Sequence, residues 1–183
     1  MADGSAAALV IGGARSGKSR EALRLASLLR RRPVMIATAR ITDGEMAARI
    51  ARHRAERGPE WLTVEEPIDL PGVLAAEAAP DRVVVVDCLT LWLSNLMLDA
   101  RDPAIEARRL CSSIEAAAGP VILVANEVGL GIVPDNALAR AFRDEAGWLN
   151  QAVAARAGMV LFMAAGLPMV LKRPASGPWS RYP

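Results

Sequence analysis

Three kinds of residue in this chain are placed to do phosphate chemistry: a lysine and a serine in a glycine loop, an acid closing an apolar run, and one histidine among arginines. The loop is "GGARSGKS", Gly12 to Ser19, with the apolar run "AAALVI" before it and the helix-like "REALRLASLLRR" after it. Gly12, Gly17, Lys18 and Ser19 fit the spacing G-x-x-x-x-G-K-[ST] in the strand, turn and helix context that this spacing requires. Glycines let the backbone turn its N–H groups inward on an anion, and the helix N-terminus adds a partial positive charge. Lys18 then reaches the β- and γ-phosphates of a nucleoside triphosphate and Ser19 ligates Mg²⁺. The loop alone does not distinguish kinases, motors, switches and transferases.

Asp87 closes "VVVV", the pattern that holds a phosphate-loop protein's Mg²⁺ through a water or its serine partner. Asp is also a favoured helix cap, and the next helix starts at "CLTLW". The single histidine, His53, lies in "EMAARIARHRAER" on the face of Glu45 and Arg49. Arg49, Arg52, Arg54 and Arg57 oppose protonation of its imidazole and would stabilise a phosphoryl group bonded to it. Two readings stand side by side: a nucleophile toward an α-phosphate, or a surface histidine on an arginine-rich helix.

The elements that must position these residues alternate. Apolar runs of strand length are "AALVI", "PVMIAT", "RVVVVD", "PVILVAN", "GMVLFMAA" and "PMVLK". Their lack of polar alternation marks strands covered on both faces, and so a doubly wound α/β sheet. Helices are expected over 18–32, 43–56, 70–79, 89–98, 103–118 and 136–157, with start signals at Asp43, Asp102-Pro103 and Asp135. Ligands bind at the carboxyl ends of strands in such sheets. The second strand ends with Thr38 and Arg40, a hydroxyl and a guanidinium suited to a phosphate, with a turn-capping role for Thr38 as the alternative. The fourth ends in "NEVGLGIVP", where the Asn126-Glu127 pair and two glycines suggest a substrate-facing loop.

At 183 residues the chain has the size of one domain. A net charge of +2 is too mild to indicate nucleic acid. Cys88 and Cys111 have neither metal nor disulfide spacing and read as core residues. No run reaches the roughly 18 apolar residues of a membrane span, and the first apolar run ends in the phosphate loop as a strand rather than a signal peptide. The cytoplasm is the expected compartment.

Taken together, "GGARSGKS", "IATARITDGEMAARIARHRAERGPEW", "VVVVDCLTLWLSNLM" and "VANEVGLGIVPDNALARAFRDEAGWLNQAVA" resemble the bifunctional adenosylcobinamide kinase and adenosylcobinamide-phosphate guanylyltransferase family of cobalamin biosynthesis, in register to about Leu171. The histidine segment and "NEVGLGIVP" are its most specific parts. The resemblance implies a three-layer, RecA-like P-loop NTPase fold and two reactions. A γ-phosphate from GTP or ATP first goes to the aminopropanol hydroxyl of adenosylcobinamide. GMP from GTP then passes through a histidine, matched by His53, to the adenosylcobinamide phosphate.

By the same resemblance the nucleotide-binding positions are Gly12, Gly13, Ala14, Arg15, Ser16, Gly17, Lys18, Ser19, Ala37, Thr38, Ala39, Arg54, Ala55, Glu56, Arg57, Glu65 and Asp87. Glu65, ending "WLTVE", could accept from guanine N1–H and N2–H, or be a solvent carboxylate beside Glu66. Some family members carry Glu at the Asp87 position and two adjacent histidines where this chain has Arg52-His53. The resemblance also implies a homotrimer. Trp61, Trp92 and the "NEVGLGIVP" loop are candidate walls for the corrinoid. The expected organisation is one catalytic domain over 1–172 and a loosely ordered tail over 173–183.

Overall fold

The structure is a computed structural model that describes residues 5–40, 44, 58–180 and 182. Its elements are β1 (Ala7–Gly12), α1 (Lys18–Leu28), β2 (Arg32–Ala37), β3 (Leu62–Glu65), α2 (Leu70–Glu77), β4 (Arg82–Asp87), α3 (Leu89–Leu98), α4 (Pro103–Ala116), β5 (Val121–Asn126), α5 (Ala137–Arg156), β6 (Met159–Ala164) and β7 (Leu167–Lys172). The expected helix from Asp43, with its start signal, lies outside the described residues. One seven-stranded sheet runs in the order β3-β2-β4-β5-β1-β6-β7. All pairings are parallel except β6 with β7.

Alternation along each strand splits the core into two apolar layers, as a sheet covered on both faces demands. From β1, Leu9 and Ile11 join the side chains of α2 to α5, including Leu74, Trp92 and Leu149. Ala8 and Val10 point the other way, against Ala22 and Leu25 of α1.

The strand and helix expectations hold with three differences. β3 is an additional short edge strand whose half-exposed residues carry no continuous apolar signal. α1 ends at Leu28, because Arg30 has a φ of 49° and turns the chain into β2. The cap of α5 is Asn136, not Asp135: its side chain accepts from Ala139 N–H at 2.7 Å. Asp102 caps α4 as expected, accepting from the N–H groups of Ala104 and Ile105.

α3 does not simply return along the sheet. Trp92 Nε1 donates to Ile68 O at 2.8 Å, and Asn95 Nδ2 donates to Thr38 O at 2.7 Å and Pro67 O at 3.1 Å. Beyond its end, Asp99 pairs with Arg40 at 2.6 Å. The helix therefore crosses the exits of β2 and β3 and ties them to β4.

The expectation of a loose tail is corrected at Trp179 and Tyr182, which are 2% and 5% exposed in the α1 layer. Trp179 Nε1 donates to Ala6 O at 3.0 Å. The Tyr182 hydroxyl donates to Glu21 at 2.6 Å while Arg24 lies over its ring. Two aromatic side chains bury enough apolar area to order a polar, proline-rich segment that composition marks as loose.

Candidate active site

The sheet register assembles the carboxyl edge. Gly12 pairs with Asn126 across β1 and β5, Asp87 with Ala37 across β4 and β2, and Ala37 with Glu65 across β2 and β3. Since β5 lies between β1 and β4, Asp87 stands two strand spacings from Gly12, about 10 Å along the edge. On the intervening strand Asn126 pairs with Gly12 and Val124 with Asp87, so Asp87 also lies two residues back from Gly12 in register. Asn126 N–H donates to Thr90 Oγ1 at 2.7 Å, and Glu127 N–H donates to Gly12 O at 3.0 Å, so pairing continues to the mouth of the loop. Among the described residues the Asn126 carboxamide has no hydrogen-bond partner of its own.

The phosphate loop is braced from both sides. A Cβ on Gly12 would come within 2.5 Å of Met163 O, so no larger residue fits against β6 there. Gly17 has a φ of 98° at the N-terminus of α1, the left-handed region that glycine enters without steric cost. Gly166, in the turn between β6 and β7, donates its N–H to Ser16 O at 3.0 Å. Lys18 is 7% exposed, and its ammonium donates to Gly13 O at 2.6 Å, which aims it into the loop. Among the described residues Ser16 Oγ is buried without a hydrogen-bond partner. A hydroxyl in that state is costly to keep, so an anion in the loop is its natural acceptor. Ala14 and Arg15 stand exposed on the rim, and Gly13 and Ser19 are half-buried.

Not every expected residue presents its side chain. The Thr38 hydroxyl donates to Cys88 O at 2.7 Å and accepts from Cys88 N–H at 2.9 Å, and the residue is fully buried. It fastens the end of β2 to the start of α3 across fifty residues, a long-range tie rather than the local turn cap expected, and its donor is not offered to a phosphate. Arg40 is held by Asp99 in a two-pronged pair. Ala37 and Ala39 contribute backbone at the edge, and Glu65 is exposed there. Glu66 instead caps the turn into α2, accepting from the N–H groups of Ile68 and Asp69 at 2.8 Å. Asp87 is half-buried, and α3 starts after Cys88 at its N-cap with no side-chain cap, so Asp87 is not spent on that helix. Burial, aided by the Asp87 charge, pushes the Cys88 thiol up to about 11, leaving it an inert core residue. His53, Arg54, Ala55, Glu56 and Arg57 lie outside the described residues.

Sequence reasoning missed Asn95 and Gly166. The available signal for Asn95 was a lone amide in the mostly apolar "LTLWLSNLML"; Gly166 gives none until β7 folds back.

Among the described residues there is no group of three or more His, Cys, Asp or Glu that could cage a metal. One hydroxyl, from Ser19, and one carboxylate, from Asp87, suit Mg²⁺, which retains waters and takes its other ligands from phosphates. Among the same residues no helix is long and apolar enough to cross a membrane.

A mostly parallel sheet with a glycine loop between β1 and α1, Lys18 buried within it, and an acid ending a strand one removed from β1 defines a RecA-like P-loop NTPase. The solved structure of the RadB recombinase shares this fold, with a TM-score of 0.53 at 17% identity over 87% of this chain and 74% of that one. The sequence belongs to the cobinamide kinase / cobinamide phosphate guanyltransferase family, which it matches over residues 8–171. It is 51% identical over 166 residues to the bifunctional adenosylcobalamin biosynthesis protein CobP of Pseudomonas aeruginosa, covering 90% of this chain and 96% of the relative. It is 41% identical over 179 residues to the protein of the same description, CobU, of Escherichia coli K12, covering 90% and 98%. The chain is thus an enzyme of the kinase and guanylyltransferase class.

Proposed function

We propose that both reactions proceed at this carboxyl edge, with His53 as covalent carrier of the guanylyl group. The observation that carries the phosphate half is the braced loop, with Lys18 aimed inward and Ser16 Oγ left for an anion. In the first step the aminopropanol oxygen of adenosylcobinamide bonds to the γ-phosphorus of GTP or ATP. The bond from that phosphorus to the bridging oxygen breaks, the alcohol proton is lost, and a nucleoside diphosphate leaves. In the second, an imidazole nitrogen of His53 bonds to the α-phosphorus of GTP and pyrophosphate leaves. A phosphate oxygen of adenosylcobinamide phosphate then displaces the imidazole, giving adenosylcobinamide-GDP.

Splitting the transfer this way turns one difficult displacement into two easier ones. Lys18 takes up charge that builds on the β- and γ-phosphates, Ser16 and the loop N–H groups orient them, and Arg54 and Arg57 follow His53 by one and four positions to serve the leaving pyrophosphate. Ser19 and Asp87 would hold Mg²⁺, Asp87 through a water given its distance along the edge. Bound with the nucleotide, the ion would neutralise phosphate charge. Glu65 is the candidate reader of guanine. The assembly is proposed as a homotrimer on the family resemblance.

The test is to incubate the protein with GTP labelled at the α-phosphate, then at the γ-phosphate, and to repeat both with His53→Ala. An acid-labile, base-stable adduct from the α-label alone, lost in the variant, supports the guanylyl-histidine. No α-label on the wild-type protein would leave a plain phosphate-loop kinase.

A further inference from the structure

The loop after Asn126 is fastened at both ends and apolar between them. At its start Glu127 N–H is bonded to Gly12 O. At its end Arg140 donates to Pro134 O at 2.9 Å and Asp135 O at 2.6 Å, and Asn136 caps α5. Between these fixings Leu130, Ile132 and Val133 are 80%, 98% and 58% exposed, with Leu138 at 66% in the first turn of α5. Exposed apolar side chains gathered on one fastened loop mark a binding site more often than an accident of folding.

We propose that this surface is the platform for the corrinoid body of the substrate. The proposal rests on the cobinamide substrate of the function set out above, and it concerns where the non-reacting bulk of that molecule lies. The reacting alcohol, and later its phosphate, must reach phosphates held by the loop at Gly12 to Ser19. The macrocycle is joined to that group by a short arm, so it must lie on the rim next to the loop. The 130–138 surface begins four residues beyond Asn126, which pairs with Gly12. On β7, exposed Leu167 follows the Ala165-Gly166 turn, and Met169 to Leu171 descend from it away from that rim. A corrin ring edged with methyl groups and amide side chains matches a platform that is apolar at its centre. The Gly129 N–H is taken by the Glu127 carboxylate, which leaves the Gly129 C=O and the Gly131 backbone groups at its margin for the amides. Contacts made only to this bulk would help to position the alcohol for transfer.

The experiment compares wild-type protein with Ile132→Ser and Leu130→Ser, both exposed positions where the fold loses little. Three quantities are measured: binding of adenosylcobinamide by equilibrium dialysis, labelling by α-labelled GTP without corrinoid, and solution mass by light scattering. The expected result is about tenfold weaker corrinoid binding, with labelling and mass unchanged. Unaltered corrinoid binding in both variants would overturn the proposal. So would a fall in mass, which would assign the surface to contacts between copies of the chain. If the wild-type protein itself binds no adenosylcobinamide, the substrate assignment fails, and the platform fails with it.

Discussion

Ser16 carries the sharpest local statement about what the phosphate loop is for. A buried hydroxyl with no partner costs folding free energy that the residue recovers only when an anion accepts its hydrogen bond. Replacing it with alanine is therefore expected to act in opposite directions on stability and on binding. Ser16→Ala should stabilise the nucleotide-free protein by about 1 kcal/mol, raising its Tm in thermal denaturation, while weakening GTP binding several-fold by calorimetry. A loss of stability without GTP would show that the hydroxyl has a structural partner. Thr38 is the opposite case. It was a phosphate candidate by position at a strand end, but its one hydroxyl proton is donated to Cys88 O while it accepts from Cys88 N–H, leaving no donor for a phosphate. The sequence shows that a hydroxyl ends β2; it does not show which backbone fifty residues later will claim it.

At the scale of elements, α3 is what turns separate strand ends into one edge. Its Asn95 amide is 6% exposed and serves two carbonyls, one after β2 and one after β3. Asn95→Leu keeps the side-chain volume and leaves both carbonyls without that donor. The expected cost is about 1–3 kcal/mol in urea unfolding, together with reduced GTP affinity, since Ala37 to Ala39 and Glu65 lose their shared anchor. Unchanged stability would mean that water replaces the amide. The strands themselves were legible because a fully covered parallel strand must be apolar along its whole length. β3 was not, because a four-residue edge strand with exposed ends follows no such constraint. Its pairing beside β2 is nonetheless what brings Glu65 level with Ala37 and Asp87.

Across the whole molecule, the tail joins the two ends of the chain to the helix that follows the phosphate loop. Trp179 fills the α1 layer, so Trp179→Ala is expected to cost about 3–5 kcal/mol in chemical denaturation. Tyr182, Glu21 and Arg24 form the second fastening. Burial works to raise the Glu21 pKa, but hydrogen bonds from Arg24 and Tyr182 outweigh it and hold the carboxyl below its ordinary value. A depressed pKa contributes stability above the ordinary glutamate range and loses it as pH falls through the folded value. The difference in stability between wild-type protein and Glu21→Gln should therefore be full near neutrality and shrink below about pH 4. A difference independent of pH would mean that the contact is held by shape rather than charge.

What the sequence alone determined is the chemistry that lies within a few consecutive residues. The phosphate loop, the acid that ends β4, the apolar strands and the cap at Asp102 act through neighbours one to seven positions away, so their spacing along the chain is their geometry. The resemblance carried by the histidine segment and the "NEVGLGIVP" loop added the family. Tertiary structure alone decided which distant groups share an edge: Asn126 beside Gly12, Glu65 level with Asp87, Thr38 consumed by Cys88, and a proline-rich tail buried by two aromatic rings. Those outcomes depend on strand order, register and the facing of side chains between layers, which arise from pairing across tens of residues and leave no periodic trace in any one segment.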